Sequence, residues 1–103
     1  MAMSPTHPDF LSSPEWRALR SSALEIYENE CVCCGAASKR MNVDHIVPRK
    51  VAPHLALDIR NLQLLCPFCN NGKGNKDHID FRSDRQKQMA REFALTQIKK
   101  EAA

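Results

Sequence analysis

Apolar residues recur along this chain with two different periods, and the changes of period mark its elements. Trp16, Leu19, Ala23, Ile26 and Tyr27 return at helical spacing, which predicts a helix from Ser12 or Ser13 to about Asn29. Its start is well signalled: Pro14 suits the first helical position, and Ser12 with Glu15 fits a capping box. From 39 to 47, Met41, Val43, His45 and Val47 alternate with Arg40, Asn42, Asp44 and Ile46, a period near two that predicts a strand ending at Pro48. A loop over 48–60 follows, with Leu55 and Leu57 as its inward anchors. Residues 61–65 are too few for periodicity to choose between a strand and a turn. A short helix is expected over 67–75, opening on Pro67. The last helix is clearer: Ser83 with Gln86 fits a second capping box, and Met89, Ala90, Phe93, Ala94 and Ile98 form a buried stripe. Residues 1–12, with Ser4, Pro5 and Pro8, read as a flexible lead-in, leaving 13–103 as a single domain.

Composition narrows what such a chain can be. At 103 residues it can bury only a modest core, and domains of this size often add a metal or disulfides. With 43% hydrophobic and 26% charged residues, folding is expected rather than disorder. A net charge of +3 favours a polyanionic partner without establishing one. No apolar run of about 18 residues is present, and the first residues lack the basic-then-apolar pattern of a leader, so no membrane span and a cytoplasmic location are expected. In that compartment thiols stay reduced, and paired cysteines more often mean a metal than a disulfide.

The cysteines are paired. Cys31/Cys34 and Cys66/Cys69 form two Cys-x-x-Cys turns, each able to aim both sulfurs to one side. Together they make a closed four-thiolate site for structural Zn²⁺, worth on the order of 10 kcal/mol to a small fold. Gly35, just after the first pair, is free to take a positive φ. Cys33 is a fifth cysteine whose Cys31/Cys33 bite is poorer, and it reads as a bystander. The halves are separated by the 31 residues from 35 to 65, more than the roughly 15–20 of a plain zinc ribbon.

That insertion carries Asp44-His45. Asp44 is a hard oxygen ligand suited to Mg²⁺ or Mn²⁺. His45, with an ordinary pKa near 6.5, can take a proton from water at neutral pH. Adjacent strand residues point to opposite faces, so the pair serves one site only near the strand's end.

Val43-Asp44-His45-Ile46-Val47-Pro48, followed by Asn61-Leu62-Gln63-Leu64-Leu65-Cys66 and Cys69-Asn70 with Lys73, closely resembles the HNH endonucleases of the ββα-metal superfamily. The resemblance covers roughly residues 16–76. It implies an α+β fold, a small ββα-metal core with a four-cysteine zinc site and flanking N- and C-terminal helices. It also implies divalent-metal-dependent hydrolysis of DNA phosphodiesters, giving 5′-phosphate and 3′-hydroxyl ends. By that similarity His45 is the general base, Asp44 a ligand of the catalytic Mg²⁺ or Mn²⁺, and Asn61 the residue that orients the His45 ring or braces its loop. Asn70 stands where the usual motif ends in histidine. Its amide oxygen is a hard ligand suited to the same ions, and the HNH domains of CRISPR effector nucleases look similar in using asparagine there.

Arg49, Lys73 and Lys76 flank these positions and are the candidate DNA contacts, Lys73 standing where the family usually has lysine. The remaining basic residues are mixed with acids along the helices and read as ordinary surface, as do His7, His54 and His78. No extra reading helix is apparent, so DNA binding should rest on phosphate contacts and fall with salt. One site per chain cuts one strand at a time, in a monomer or a weak homodimer. The rival reading is a non-catalytic zinc module that only binds nucleic acid. It has no need of Asp44, His45, Asn61 and Asn70 together.

Overall fold

The computed structural model describes residues 4–73 and 78–102. Its elements in order are α1 (Pro14–Ile26), β1 (Asn42–His45), β2 (Leu62–Leu65), α2 (Pro67–Lys73) and α3 (Asp84–Ala102), with 3-10 turns at Phe10–Ser12, Pro53–Leu55 and Ile59–Asn61. The class is α+β. Among the described residues no helix is long and apolar enough to cross a membrane.

Helix α1 starts one residue later than the capping box with Ser12 predicts. Ser13 is the N-cap, its Oγ accepting from the Trp16 amide at 3.3 Å. The helix stops at Ile26 rather than Asn29, because Glu28 and Asn29 adopt φ of 57° and 55°. Left-handed backbone at two consecutive non-glycine residues costs roughly 1–2 kcal/mol each. Here it is held by Asn29 N–H donating to the Leu24 carbonyl at 2.9 Å. Tyr27 sits at this exit fully buried, and its hydroxyl donates to the Leu62 carbonyl at 2.6 Å, stitching α1 to β2.

In the stretch 61–65, left open by the sequence, Leu62–Leu65 form a strand and Asn61 ends the 3-10 turn before it. β1 and β2 pair antiparallel with Asn42 opposite Leu65, Val43 opposite Leu64, Asp44 opposite Gln63 and His45 opposite Leu62. Every residue of β2 is buried. A second strand explains why the four apolar-flanked residues alternate so little: both faces of β2 are covered. The loop between the strands is anchored by Ala52, Ala56 and Ile59, all buried. Leu57, expected as an anchor, is 41% exposed. Small alanines let the loop approach closely, where leucines would hold it off.

The lead-in expected to be flexible over 1–12 contains a core residue. Phe10 is 1% exposed and lies 5.9 Å, centroid to centroid, from Trp16. At the other end, α3 begins with the predicted reciprocal cap: Ser83 N–H donates to Gln86 Oε1 at 2.8 Å and Gln86 N–H to Ser83 Oγ at 3.2 Å. Ala90 is fully buried and Phe93 and Ala94 pack on the core, whereas Ile98 is exposed because the stripe outlasts the body beneath it.

Candidate active site and metal centre

Four cysteines draw the two halves of the site together. The first knuckle turns at Gly35, whose φ of 81° lets its N–H reach the Cys31 carbonyl at 2.8 Å. Val32 N–H donates to the Leu64 carbonyl at 2.9 Å, so the knuckle is tied to β2. The second pair flanks the start of α2, where Cys69 N–H points at Cys66 Sγ at 3.5 Å. As a result the sulfurs of Cys31, Cys34, Cys66 and Cys69 all lie within 4.8 Å of one another. Tetrahedral Zn²⁺ with bonds near 2.3 Å requires sulfurs about 3.8 Å apart, and Cys34 Sγ and Cys66 Sγ are 3.8 Å apart. The donor set therefore fits zinc. Cys33 is exposed and outside the cluster. Desolvation opposes the Cys31 thiolate, yet backbone N–H groups of Cys66, Cys34 and Cys33 hold its pKa down to about 6. Cys69 is pushed far up by desolvation and by its sulfur neighbours. Four crowded sulfurs cannot all carry charge without a cation among them.

Beside the clasp lies a cleft of about 790 Å³. Asp44, His45, Arg49, Asn70 and Lys73 line it, with Trp16 and the lead-in residues Pro5, Thr6 and Leu11. The end of β1 supplies Asp44 and His45 on opposite faces, and α2 supplies Asn70 and Lys73. The structure thus brings five of the sequence-predicted residues, Arg49 among them, to one cavity.

His45 is fixed from two sides. Its ring stacks on the Trp16 indole at 4.8 Å and 23°, with Phe10 at 6.5 Å, and its Nε2 lies 2.9 Å from the Ala56 carbonyl. A carbonyl only accepts, so the hydrogen sits on Nε2 and Nδ1 keeps its lone pair. Burial pushes the imidazole below its ordinary 6.5, partly countered by the Ala56 carbonyl. Burial thus favours the neutral ring. Asn61 does not touch this ring. Its Oδ1 accepts from Val47 N–H at 2.9 Å, and its Nδ2 donates to the carbonyls of Val47 at 3.0 Å and Leu55 at 3.4 Å. It braces the loop on which the Ala56 acceptor rides.

Asp44 is engaged on both oxygens. Lys73 Nζ lies 3.1 Å from Oδ2 and 3.4 Å from Oδ1, and Gln63 Nε2 donates to Oδ2 at 3.0 Å. The Lys73 side chain, expected as a DNA contact, is 1% exposed and sits as a buried counter-charge to Asp44. Arg49 is tied to the lead-in: its guanidinium donates to the Pro5 carbonyl at 2.9 Å and lies 5.2 Å from the Phe10 ring. Lys76 lies outside the described residues. His78, expected at the surface, is exposed and also lines the cleft. Gln63 went unnoticed in the sequence; its one signal is a lone amide among leucines in Leu62–Leu65.

The sequence model of the HNH endonuclease family matches residues 31–76. A "probable HNH endonuclease" of Lactococcus phage SK1 is 41% identical over 64 residues, 57% of this chain and 68% of that protein. The "Septu protein PtuB" of Bacillus thuringiensis is 36% identical over 63 residues, 57% of this chain but 24% of that protein. This chain therefore spans about a quarter of the Septu relative. No solved structure matches it.

Proposed function

The chain belongs to the HNH endonuclease family, a family of nucleases, and from that premise we propose that it hydrolyses DNA phosphodiesters with one divalent ion and His45 as general base. The observation that carries the reading is His45 itself. Trp16 and the Ala56 carbonyl hold its ring with Nε2 engaged, which leaves Nδ1 as the basic nitrogen, and the residue lines the cleft that Asp44 and Asn70 share.

In this reading His45 Nδ1 takes a proton from water as the water attacks the phosphorus. Asn61 keeps the Val47 and Leu55 carbonyls in place and so fixes the loop bearing the Ala56 acceptor. Asp44 and Asn70 offer a carboxylate and an amide oxygen, a hard donor set that suits Mg²⁺ or Mn²⁺. The position already accepts positive charge, since the Lys73 ammonium sits against it. A bound divalent ion supplies Lewis-acid stabilisation of the phosphate and of the departing 3′-oxygen. Lys73, buried against Asp44, adds positive charge at the cleft, and Arg49 borders the cleft as a phosphate contact. The products carry 5′-phosphate and 3′-hydroxyl ends.

Supercoiled plasmid tests this directly. Zinc-loaded protein should convert it to nicked or linear forms with Mg²⁺ or Mn²⁺ and not with chelator, and His45→Ala should lower the rate roughly 10²–10⁴-fold, the range for a positioned base. Full activity in His45→Ala would overturn the mechanism. DNA binding with zinc retained and no divalent-dependent cleavage would instead make the chain a binding module.

A further inference from the structure

Gln63 is fully buried, an unusual place for an amide in a strand whose neighbours are leucines. It sits directly across the ladder from Asp44. Cross-strand partners share a face, so its side chain reaches the same side of the sheet as the carboxylate. There it makes three hydrogen bonds. Nε2 donates to Asp44 Oδ2 at 3.0 Å and to the Ile79 carbonyl at 2.9 Å, and Oε1 accepts from Phe81 N–H at 2.9 Å.

The last two bonds have a recognisable form. One amide gives a hydrogen to the carbonyl of residue 79 and takes one from the N–H of residue 81, as one residue's own N–H and C=O bond positions i and i+2 of a parallel neighbour. The side chain stands in for a third strand and holds the extended segment that leads into α3. Its second N–H is thereby aimed at Asp44. An amide with all its partners fixed cannot rotate away, so the carboxylate is oriented by a group whose own orientation is set from the far side.

We infer that Gln63 is a positioning residue for the catalytic cation: it aligns the Asp44 carboxylate and couples the ion to the 79–81 segment and α3. This rests on the reading of Asp44 as an ion ligand. Partners one step behind a metal ligand typically change metal affinity roughly 10–100-fold when lost.

The test uses the full, zinc-loaded chain. Mg²⁺ is titrated into ¹⁵N-labelled protein while the Gln63 side-chain amide, the Phe81 backbone amide and the Asp44 and Asn70 signals are followed. The expected result is that all four move with one dissociation constant. Gln63→Leu should then weaken Mg²⁺ binding by calorimetry roughly tenfold or more. Leu64→Ala, which removes buried bulk from the same strand without touching Asp44, should lower the melting temperature and leave Mg²⁺ affinity within about twofold. If Gln63→Leu does not fold, the unmutated titration still decides. Movement at Asp44 and Asn70 with Gln63 and Phe81 unmoved overturns the inference and leaves the site reading standing. No Mg²⁺-dependent movement at Asp44 and Asn70 sinks the site reading and the inference with it.

Discussion

Replacing Lys73 by methionine removes the buried cation facing Asp44 without opening a large hole, because the two side chains are alike in length and bulk. The ammonium lies 3.1 Å from Asp44 Oδ2, with its side chain 1% exposed and that of Asp44 12% exposed. At that distance and an effective dielectric near 20, the gross attraction is about 5 kcal/mol. Most of it offsets the cost of taking both charges out of water. What counts for the variant is the carboxylate left behind, for which breaking a buried pair costs about 3–5 kcal/mol. Asp44 keeps its bond from Gln63, so the lower end, about 3 kcal/mol, is the expected loss. For a domain of this size that lowers the midpoint of thermal unfolding by roughly 12 °C or more. Circular-dichroism melts of the zinc-loaded protein, with and without Mg²⁺, are the assay. The variant should regain more from Mg²⁺ than the parent does, because the ion meets no competing ammonium. Adding Asp44→Asn to Lys73→Met should recover much of the loss, since the unpaired charge is gone. A Lys73→Met midpoint within about 3 °C of the parent would refute the reasoning, as would a double variant no more stable than the single.

Three further outcomes are expected. Stripping zinc, or Cys66→Ser, should unfold the chain outright, since a site worth on the order of 10 kcal/mol rivals the whole stability of such a domain; Cys33→Ser should leave one zinc per chain by metal analysis. Tyr27→Phe deletes the 2.6 Å bond to the Leu62 carbonyl and should cost about 1–2 kcal/mol in urea unfolding, the carbonyl keeping only Arg82 at 3.5 Å. Asp80 is desolvated, yet the Arg82 hydrogen bonds hold its carboxyl below the ordinary 3.8. A depressed carboxylate contributes stability above its unfolded pKa and loses it as pH falls through the folded one. Asp80→Asn should therefore be less stable than the parent by about 1 kcal/mol at neutral pH, and the gap should begin to narrow only below about pH 4.

What could be read from the sequence was local. Two Cys-x-x-Cys turns carry their geometry in four residues each, and the Ser83/Gln86 cap needs only three residues of spacing. Asp44 and His45 stood out as candidates because the string Val43–Pro48 that carries them resembles HNH endonucleases; a strand histidine by itself is more often a satisfied core or surface residue. The features that escaped all depend on the distant register of one element against another. Gln63 gains meaning only when β2 is laid opposite β1, placing it against Asp44. Lys73 reads as a DNA contact until α2 folds it inward against the same carboxylate. Phe10 lies in a stretch without periodicity, so nothing local shows that Trp16 and His45 will close over it. Asn61 was expected to touch the ring or brace its loop, and only coordinates separate those: its bonds go to Val47 and Leu55.

The stacking of Trp16 on His45 gives this molecule a built-in optical reporter. It is the chain's one tryptophan, 4.8 Å from the imidazole in question. An imidazolium quenches indole emission at such range and a neutral ring does so far less. Fluorescence followed against pH thus reads the charge of this histidine without any label, in the same cuvette in which a substrate or an ion is added.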